Sequence, residues 1–259
     1  MPLGLIRHGL FGSARPARHI PASTELKSAY DVVIVGGGGH GLAIAYNLAR
    51  YHGITRVAVL EKGYLAGGNT ARNTAVIRSN YVTPASIRFY AESVKLYENL
   101  SHELDFNVMF SQRGQLTLAH TEASMRGMRL RADANRHCGA DSVMLSTAEI
   151  AKLVPTLNLE PARRYPVLGG LWHRDGGIAR HDAVAWGYAR RAAQLGVEIH
   201  QRTEVIGIDV SAGKVDGVRT NRGTVKCGVV VQAVAGSSSI LASKIGLALP
   251  IVTYPLQAM

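Results

Sequence analysis

Cysteine, acidic side chains and long apolar runs are all scarce in this sequence of 259 residues. The two cysteines, Cys138 and Cys227, lie far apart without metal-ligand spacing, which predicts free thiols in a reducing, cytoplasmic compartment and no cysteine-based metal site. Apolar runs such as residues 229–234 are much shorter than the ~18 residues of a membrane-spanning helix, so we expect a soluble chain. Hydrophobic residues at 47% and charged residues at 18% exclude the disordered and coiled-coil classes.

The shortage of acids leaves a strong positive charge. Lysine and arginine number 29 against 18 aspartates and glutamates, a formal net charge of +11. This excess favours acidic small molecules, acidic partner subunits or nucleic acid. The basic and aromatic motifs of nucleic-acid readers are missing, which argues against nucleic acid. Residues 1–28 are basic and have no long apolar segment, so we predict an arm that binds a partner subunit, with disorder as the alternative.

A strand, a glycine turn and a helix open the globular part of the chain. Residues 31–35 are a short β-branched run, residues 36–41 are rich in glycine, and residues 42–50 favour a helix. A second apolar run, residues 57–60, ends directly before Glu61. Together these segments predict a complete βαβ unit.

The glycine turn fits the G-x-G-x-x-G fingerprint of a dinucleotide site. Gly36 permits the tight turn, Gly38 lets a pyrophosphate approach the backbone, and Gly41 lets helix and strand pack closely. The helix N-terminus adds N–H donors and the positive end of a dipole. Glu61 is placed to accept hydrogen bonds from ribose hydroxyls and to repel a 2′-phosphate, which disfavours NADP. These residues alone leave FAD and NAD open.

A small polar loop, residues 67–74, follows Glu61 and favours FAD, because it is suited to wrap a pyrophosphate and the edge of an isoalloxazine. Arg72 is a candidate for binding phosphate and Arg78 for binding a substrate carboxylate, since a guanidinium fork binds either group bidentately. The alternative for each arginine is a solvated surface charge. For Arg78 this alternative is weaker, because a charge that follows an apolar run such as 75–77 usually has a partner.

The rest of the chain alternates helices and strands without an internal repeat. We predict helices at residues 86–104, 122–138 and 182–195, a further helix opened by a capping box at Ser146 and Glu149, and strands at residues 115–119, 197–200, 205–210, 215–220 and 225–234. Residues 250–259 are typical of a strand that has just begun, so we expect the sequence to be truncated at Met259.

Four stretches point to one family: residues 31–61, 67–81, 110–114 (Phe-Ser-Gln-Arg-Gly) and 177–182 (Gly-Ile-Ala-Arg-His-Asp). In these stretches the chain closely resembles the β subunit of heterotetrameric sarcosine oxidase. That family belongs to the superfamily of glycine oxidase, D-amino-acid oxidase and monomeric sarcosine oxidase. The resemblance implies an α/β fold with a Rossmann-like FAD-binding domain over residues 29–112 and 166–248. A smaller α+β substrate domain with a mostly antiparallel sheet would occupy residues 113–165 and 249–259.

The resemblance also implies two flavins on one chain, non-covalent FAD and an FMN attached covalently to His181. Sarcosine would be demethylated to glycine with FAD as first acceptor, electrons would pass to FMN and then to O2 to give H2O2, and the one-carbon unit would leave as formaldehyde or methylenetetrahydrofolate. Arg78 would be the catalytic residue that holds the sarcosine carboxylate. Partner α, γ and δ subunits would complete the complex. His173, which lies outside the motif, is a weaker candidate for FMN attachment.

The candidate cofactor-binding residues come from the glycine turn, the strand end, the polar loop, the flavin motif and two later positions. They are Gly36, Gly37, Gly38, Gly39, Gly41, Glu61, Lys62, Asn69, Arg72, Asn73, Thr74, Arg180, His181, Val205 and Gly236. A neutral imidazole at His181 suits attack on a flavin methide, and Arg180 suits charge on the flavin or its phosphate. By resemblance, the Val205 backbone would meet adenine, and close backbone approach after the last core strand would rest on Gly236. The alternatives are a single-flavin amine or D-amino-acid dehydrogenase and a truncated, non-catalytic partner subunit.

Overall fold

The structure is a computed structural model that describes residues 25–255. Most of the predicted basic arm, and Met259, lie outside the described residues, so the predictions made for them stay predictions. The described chain divides into two compact units. We call residues 25–72 with 185–255 the outer unit and residues 73–184 the middle unit. None of the described helices is long and apolar enough to cross a membrane.

Helices and strands alternate along both units. The strands are β1 (Val32–Val35), β2 (Val57–Leu60), β3 (Val76–Ile77), β4 (Gln115–Ala119), β5 (Ser142–Leu145), β6 (Gly169–His173), β7 (Gly177–Ile178), β8 (Glu198–His200), β9 (Val205–Ser211), β10 (Lys214–Thr220), β11 (Gly223–Lys226) and β12 (Val229–Gln232). The helices are α1 (Gly39–His52), α2 (Pro84–Glu103), α3 (Glu122–His137), α4 (Thr147–Leu153), α5 (His181–Gln194) and α6 (Ser238–Ser243). Short 3-10 helices span Asn69–Arg72 and Ala235–Ser237.

A parallel four-stranded sheet, in the order β12-β1-β2-β8, forms the centre of the outer unit. Every residue of β1 and β2 is buried, which explains their continuous apolar sequences. α1 connects these two strands and ends at Gly53, whose φ of 67° is the left-handed conformation that glycine adopts without strain. The predicted βαβ unit is confirmed.

An antiparallel sheet in the order β11-β10-β9 completes the outer unit and confirms the two strands predicted at 205–210 and 215–220. The single strand predicted at 225–234 is wrong. β11 pairs antiparallel with β10, whereas β12 pairs parallel with β1, so one apolar run serves two sheets and breaks at Cys227 and Gly228. The strand predicted to begin at residue 250 is also wrong, because residues 250–255 adopt no regular secondary structure.

The middle unit contains an antiparallel sheet in the order β4-β6-β5 and a two-stranded pair of β3 with β7. α3 and α4 pack on the larger sheet. The predicted capping box is confirmed, since Ser146 Oγ accepts from the Glu149 N–H at 3.3 Å and the Glu149 carboxylate accepts from the Ser146 N–H at 2.8 Å.

The unit boundaries differ from the predicted domain boundaries. Residues 73–112 and 166–184 were expected in the FAD-binding domain, but they belong to the middle unit. The pairing of β3 with β7 and the bridge between Ser111 and Ile178 tie these two segments to each other, and β6 ties the second of them to β4 and β5. The assignment of cofactor and substrate to domains stays a prediction.

A buried histidine organises the polar interior of the middle unit. His173 is completely buried, with Nδ1 3.0 Å from the Asp141 carbonyl oxygen and Nε2 3.2 Å from the Ser79 backbone nitrogen. Because a carbonyl only accepts and an N–H only donates, these partners assign a neutral ring with its proton on Nδ1. Burial, partly opposed by the Asp141 carbonyl, lowers the pKa of His173.

A second buried histidine lies in the outer unit, at the end of β8. His200 Nε2 is 3.2 Å from the Tyr30 hydroxyl and 3.4 Å from a Glu198 carboxylate oxygen, while its buried Nδ1 has no hydrogen-bond partner. Burial, partly opposed by Glu198, lowers the pKa of His200. Burial also raises the pKa of Tyr30 to about 12, and Lys27 forms an ion pair with Glu198.

Acid is expected to destabilise the fold through these two histidines. The unfolded chain binds protons at a histidine pKa of about 6.5, whereas the folded chain binds them only at lower pH, so the unfolding free energy should fall as pH drops below about 6.5. Each histidine contributes a slope of up to about 1.4 kcal/mol per pH unit. Glu198, whose pKa is lowered on folding, acts in the same direction but mainly below about pH 5, so it adds little in this window. Urea unfolding between pH 5 and 8 measures the slope.

His200→Gln should reduce that slope by about one proton. His137→Gln is the matched control and should keep the wild-type slope, because the His137 side chain is exposed in the folded protein. A His200→Gln protein with the full wild-type slope would contradict the assignment of His200.

Candidate functional site

The turn after β1 is held by contacts that leave no room for side chains. The Gly36 N–H donates to the Leu60 carbonyl at 2.9 Å, and the residue has a φ of +111°. A Cβ on Gly36 would lie 2.4 Å from the Ala233 carbonyl oxygen, and one on Gly41 would lie 2.0 Å from the Gly36 carbonyl oxygen. Both distances are far below contact, so glycine is required at these two positions by packing alone.

Glu61 is fixed at the end of β2 by two backbone donors. Its carboxylate accepts from the Gly37 N–H at 2.8 Å and, through the other oxygen, from the Gly63 N–H at 2.8 Å. The bond from Gly37 joins Glu61 directly to the glycine turn, whereas its proposed contact with ribose stays a prediction. A carboxylate offers about four acceptor positions, so each oxygen still has capacity for a ribose hydroxyl.

The N-terminus of α1 meets a hydroxyl from the polar loop. The Gly39 N–H donates to Thr70 Oγ1 at 2.9 Å, and a Cβ on Gly38 would lie 3.2 Å from the same oxygen. The first turn of α1 contains no acidic residue of its own, so the positive end of its dipole favours a bound anion. This arrangement fits the phosphate of a dinucleotide. Thr70 was missed among the candidates, because its partner Gly39 lies 31 residues away in the sequence.

The loop candidates have mostly local contacts. Arg72 donates from Nη1 to the carbonyls of Gly67 and Gly68, so its guanidinium closes its own loop. Asn73 accepts from the Ala75 N–H at 2.7 Å in a tight turn. Three more candidates, Lys62, Asn69 and Thr74, have exposed side chains.

The two later candidates, Val205 and Gly236, differ in whether the structure brings them near the glycine turn. Thr203 donates its N–H to the Glu61 carbonyl at 2.8 Å, which brings the start of β9 and Val205 near the acidic strand end. Gly236 instead contacts Thr253, whose hydroxyl donates to the Gly236 carbonyl at 3.1 Å. The closest backbone approach to Gly36 after β12 comes from Ala233.

Arg78 follows β3 in the middle unit and is held by the next residues in the chain. Its Nη1 donates to the Asn80 side-chain oxygen at 2.9 Å, and its guanidinium carbon lies 4.4 Å above the centre of the Tyr81 ring. Asn80 is completely buried and donates from its amide to Gln115 at 3.0 Å. The Arg78 guanidinium is therefore held in place by neutral groups.

The flavin motif opens α5. His181 is its first residue, and the buried Nδ1 of this side chain has no hydrogen-bond partner. Arg180 makes a bidentate pair with Asp182, at 2.8 and 3.1 Å, which lowers the pKa of the Asp182 carboxyl. The pair occupies Arg180, which sequence reasoning had assigned to the flavin. His173 is wholly buried with both ring nitrogens bonded, which disfavours it as an attachment site.

A matched pair of glycine substitutions tests the packing of the turn. Gly41→Ala should lower the unfolding free energy by about 3 kcal/mol, because the new methyl group must displace the Gly36 carbonyl. Gly39→Ala should stay within about 1 kcal/mol of wild type, since its Cβ would meet Thr70 only at 3.6 Å and alanine favours a helix. Urea unfolding measures both. A loss for Gly41→Ala as small as that expected for Gly39→Ala would show that the turn tolerates a side chain at Gly41.

Comparison with known proteins agrees with this geometry. The family model described as FAD dependent oxidoreductase, DAO, matches residues 31–259. Sarcosine oxidase subunit beta of Arthrobacter sp is 52% identical over 238 residues, covering 92% of this chain and 59% of that protein. Sarcosine oxidase subunit beta of Rhodobacter capsulatus is 48% identical over 259 residues, covering 97% of this chain and 62% of that protein. The chain therefore spans about three fifths of the length of these curated relatives.

The crystal structure of L-proline dehydrogenase from P. horikoshii matches the fold with a TM-score of 0.78 and 27% identity, covering 86% of this chain and 57% of that chain. The predicted α/β fold class is confirmed. The resemblance to the β subunit of sarcosine oxidase is confirmed by the identities to the Arthrobacter and Rhodobacter proteins. From the match to residues 31–259, the chain belongs to the FAD dependent oxidoreductase family.

Proposed function

We propose that the protein to which this chain belongs oxidises sarcosine to glycine with FAD as the first electron acceptor. The observation that carries the proposal is the direct hydrogen bond between Gly37 and Glu61, in a chain about half identical to two sarcosine oxidase β subunits. Overall, sarcosine, water and O2 give glycine, formaldehyde and H2O2. The flavins, when bound, take up the hydride equivalent from the N-methyl group and pass the electrons to O2. Methylenetetrahydrofolate is the alternative form of the one-carbon product.

The outer unit supplies the proposed FAD site. Glu61, held by the Gly63 N–H, would accept hydrogen bonds from ribose hydroxyls, while the α1 N-terminus and the Thr70 hydroxyl beside it would hold the pyrophosphate. Gly36 and Gly41 act indirectly, because they let β1, α1 and Ala233 pack closely enough to shape the turn. Val205 would contribute a backbone contact to adenine.

Arg78 is proposed to bind and orient the substrate carboxylate. A guanidinium matches the two oxygens of a carboxylate, and Asn80 and Tyr81 fix its direction without neutralising its charge. Binding energy from the carboxylate then positions the N-methyl group for oxidation. The positive charge of Arg78 also disfavours amines that lack a carboxylate, because they bring no anion to pair with it.

His181 is proposed to carry the covalent FMN. The buried Nδ1 without a hydrogen-bond partner supports this, because buried polar atoms are usually satisfied and a covalent bond to the flavin would satisfy this imidazole. Arg180, beside His181, would meet the flavin only as a pair with Asp182, which largely neutralises its charge. The α, γ and δ subunits of a sarcosine oxidase complex are the proposed partners. The second candidate, a single-flavin amine dehydrogenase, would lack this attachment.

Peptide mass spectrometry of the full-length protein, assembled with its partner subunits and denatured, separates the two candidates. One FMN should remain on the peptide that contains His181, and His181→Ala should abolish it while FAD is still released from the native complex. His137→Ala is the control and should keep the FMN, because His137 lies exposed at the end of α3. A wild-type peptide without FMN would favour the single-flavin dehydrogenase.

Steady-state kinetics with sarcosine tests Arg78. Arg78→Gln should raise KM about ten- to hundredfold, the cost of one or two charge-assisted hydrogen bonds. Arg78→Lys should recover only part of the loss, because an ammonium lacks the planar fork. The exposed Arg88→Gln should keep the wild-type KM. A wild-type KM for Arg78→Gln would remove Arg78 from the substrate site.

A further inference from the structure

Two guanidinium groups from separate elements meet at one residue of the middle unit. Arg78, after β3, donates from Nη1 to the Asn80 backbone oxygen at 3.4 Å as well as to its side chain. Arg131, on α3, donates from Nε to the same backbone oxygen. Asn80 therefore holds two cationic groups side by side.

Neither group is neutralised by an acid among residues 25–255. Neither Arg78 nor Arg131 forms an ion pair there, and their polar contacts are confined to Asn80. Other arginines of the same unit do find partners, as in the pairs Arg136 with Asp133, Arg174 with Asp141, and Arg180 with Asp182. Burial and the nearby charge of Arg78 both lower the pKa of Arg131, so the juxtaposition carries an electrostatic cost.

The surrounding contacts fix the two segments that carry these groups. Asn135 on α3 donates from its amide to the Tyr81 carbonyl at 2.8 Å and to the Arg131 carbonyl at 2.7 Å, which fixes the helix to the Arg78 segment. The Tyr81 ring stacks on Tyr90 at 4.0 Å between ring centres. Each guanidinium also keeps N–H donors that Asn80 does not use, since an arginine has five. Fixed donors with excess positive charge are the features of an anion site.

We propose that Arg131 is a second binding residue for the substrate carboxylate, with Arg78 and Arg131 each donating to it. This proposal rests on the proposed function, in which Arg78 binds that carboxylate. A single anion bound by both groups relieves the repulsion between them, which a neutral acceptor such as Asn80 does only weakly. Recognition by two guanidinium groups makes the site selective for carboxylates over uncharged analogues.

Acetate is the probe for the first experiment, with its Kd measured from the flavin absorption change in the full-length, flavin-loaded complex. Arg131→Gln should raise the Kd about ten- to hundredfold. Arg129→Gln, an exposed arginine two positions away on α3, should keep the wild-type Kd. Acetamide, which has the same shape without the charge, should bind wild type and Arg131→Gln with equal Kd.

A Kd for acetate within twofold of wild type in Arg131→Gln, while Arg78→Gln loses acetate, overturns the role of Arg131 and leaves the proposed function intact. Wild-type protein that neither binds acetate nor oxidises sarcosine contradicts the proposed function itself. An equal loss of acetate and acetamide in Arg131→Gln indicates a structural role and also overturns the proposal.

A second measurement uses only the wild-type complex, so it tests the proposal even if the Arg131→Gln protein does not fold. Phenylglyoxal labels accessible guanidinium groups, and peptide mass spectrometry locates the label on the wild-type complex with and without acetate. Protection of both Arg78 and Arg131 by acetate supports the shared site. Protection of Arg78 alone overturns the shared site. The shared site is also overturned if Arg131 is not labelled in the absence of acetate, because a side chain that phenylglyoxal cannot reach is closed to a small anion.

Discussion

The close backbone approach at the carboxyl end of β1 is the constraint on which the outer unit depends. Gly36 lies against the Ala233 carbonyl, and Gly41 lies against the Gly36 carbonyl, at distances that admit no Cβ. This contact brings the end of β12, the turn and the start of α1 into one compact edge. The carboxyl edge of a parallel sheet is where α/β proteins bind ligands, and here the same edge also presents Glu61 and Thr70.

The arginines that give the chain its positive charge are used in two different ways. Several arginines among residues 25–255 are paired with an aspartate, as Arg180 is with Asp182 and Arg219 with Asp209. Such exposed pairs contribute little to stability. The pair of cations at Asn80 is different because neutral groups hold it, so its charge remains available to a ligand. Net charge alone could not separate these two uses of arginine.

Local patterns allowed the glycine turn, Glu61 and the capping box to be predicted, because each depends on residues close in sequence or on a fingerprint of known spacing. The break between β11 and β12 could not be predicted, since periodicity does not tell which of two sheets an apolar residue joins. Thr70 and Arg131 were missed for a related reason. Their partners, Gly39 and Asn80, lie 31 and 51 residues away, and no single-sequence pattern reports such contacts.

The pairing of β1 with β12 joins Val32 to Val229, across almost the whole described chain. During synthesis the middle unit is a continuous segment, and its sheets are complete once residue 178 has emerged from the ribosome. The outer unit cannot be completed until β12 and Ala233 have been synthesised, because Ala233 packs directly against the glycine turn. Long-range strand pairing of this kind is slow and leaves apolar edges open in the interval. The glycine turn, and a dinucleotide site built on it, can therefore be completed only after residue 233 has been synthesised, and the buried strands β1 and β2 wait unpaired with β12 until then.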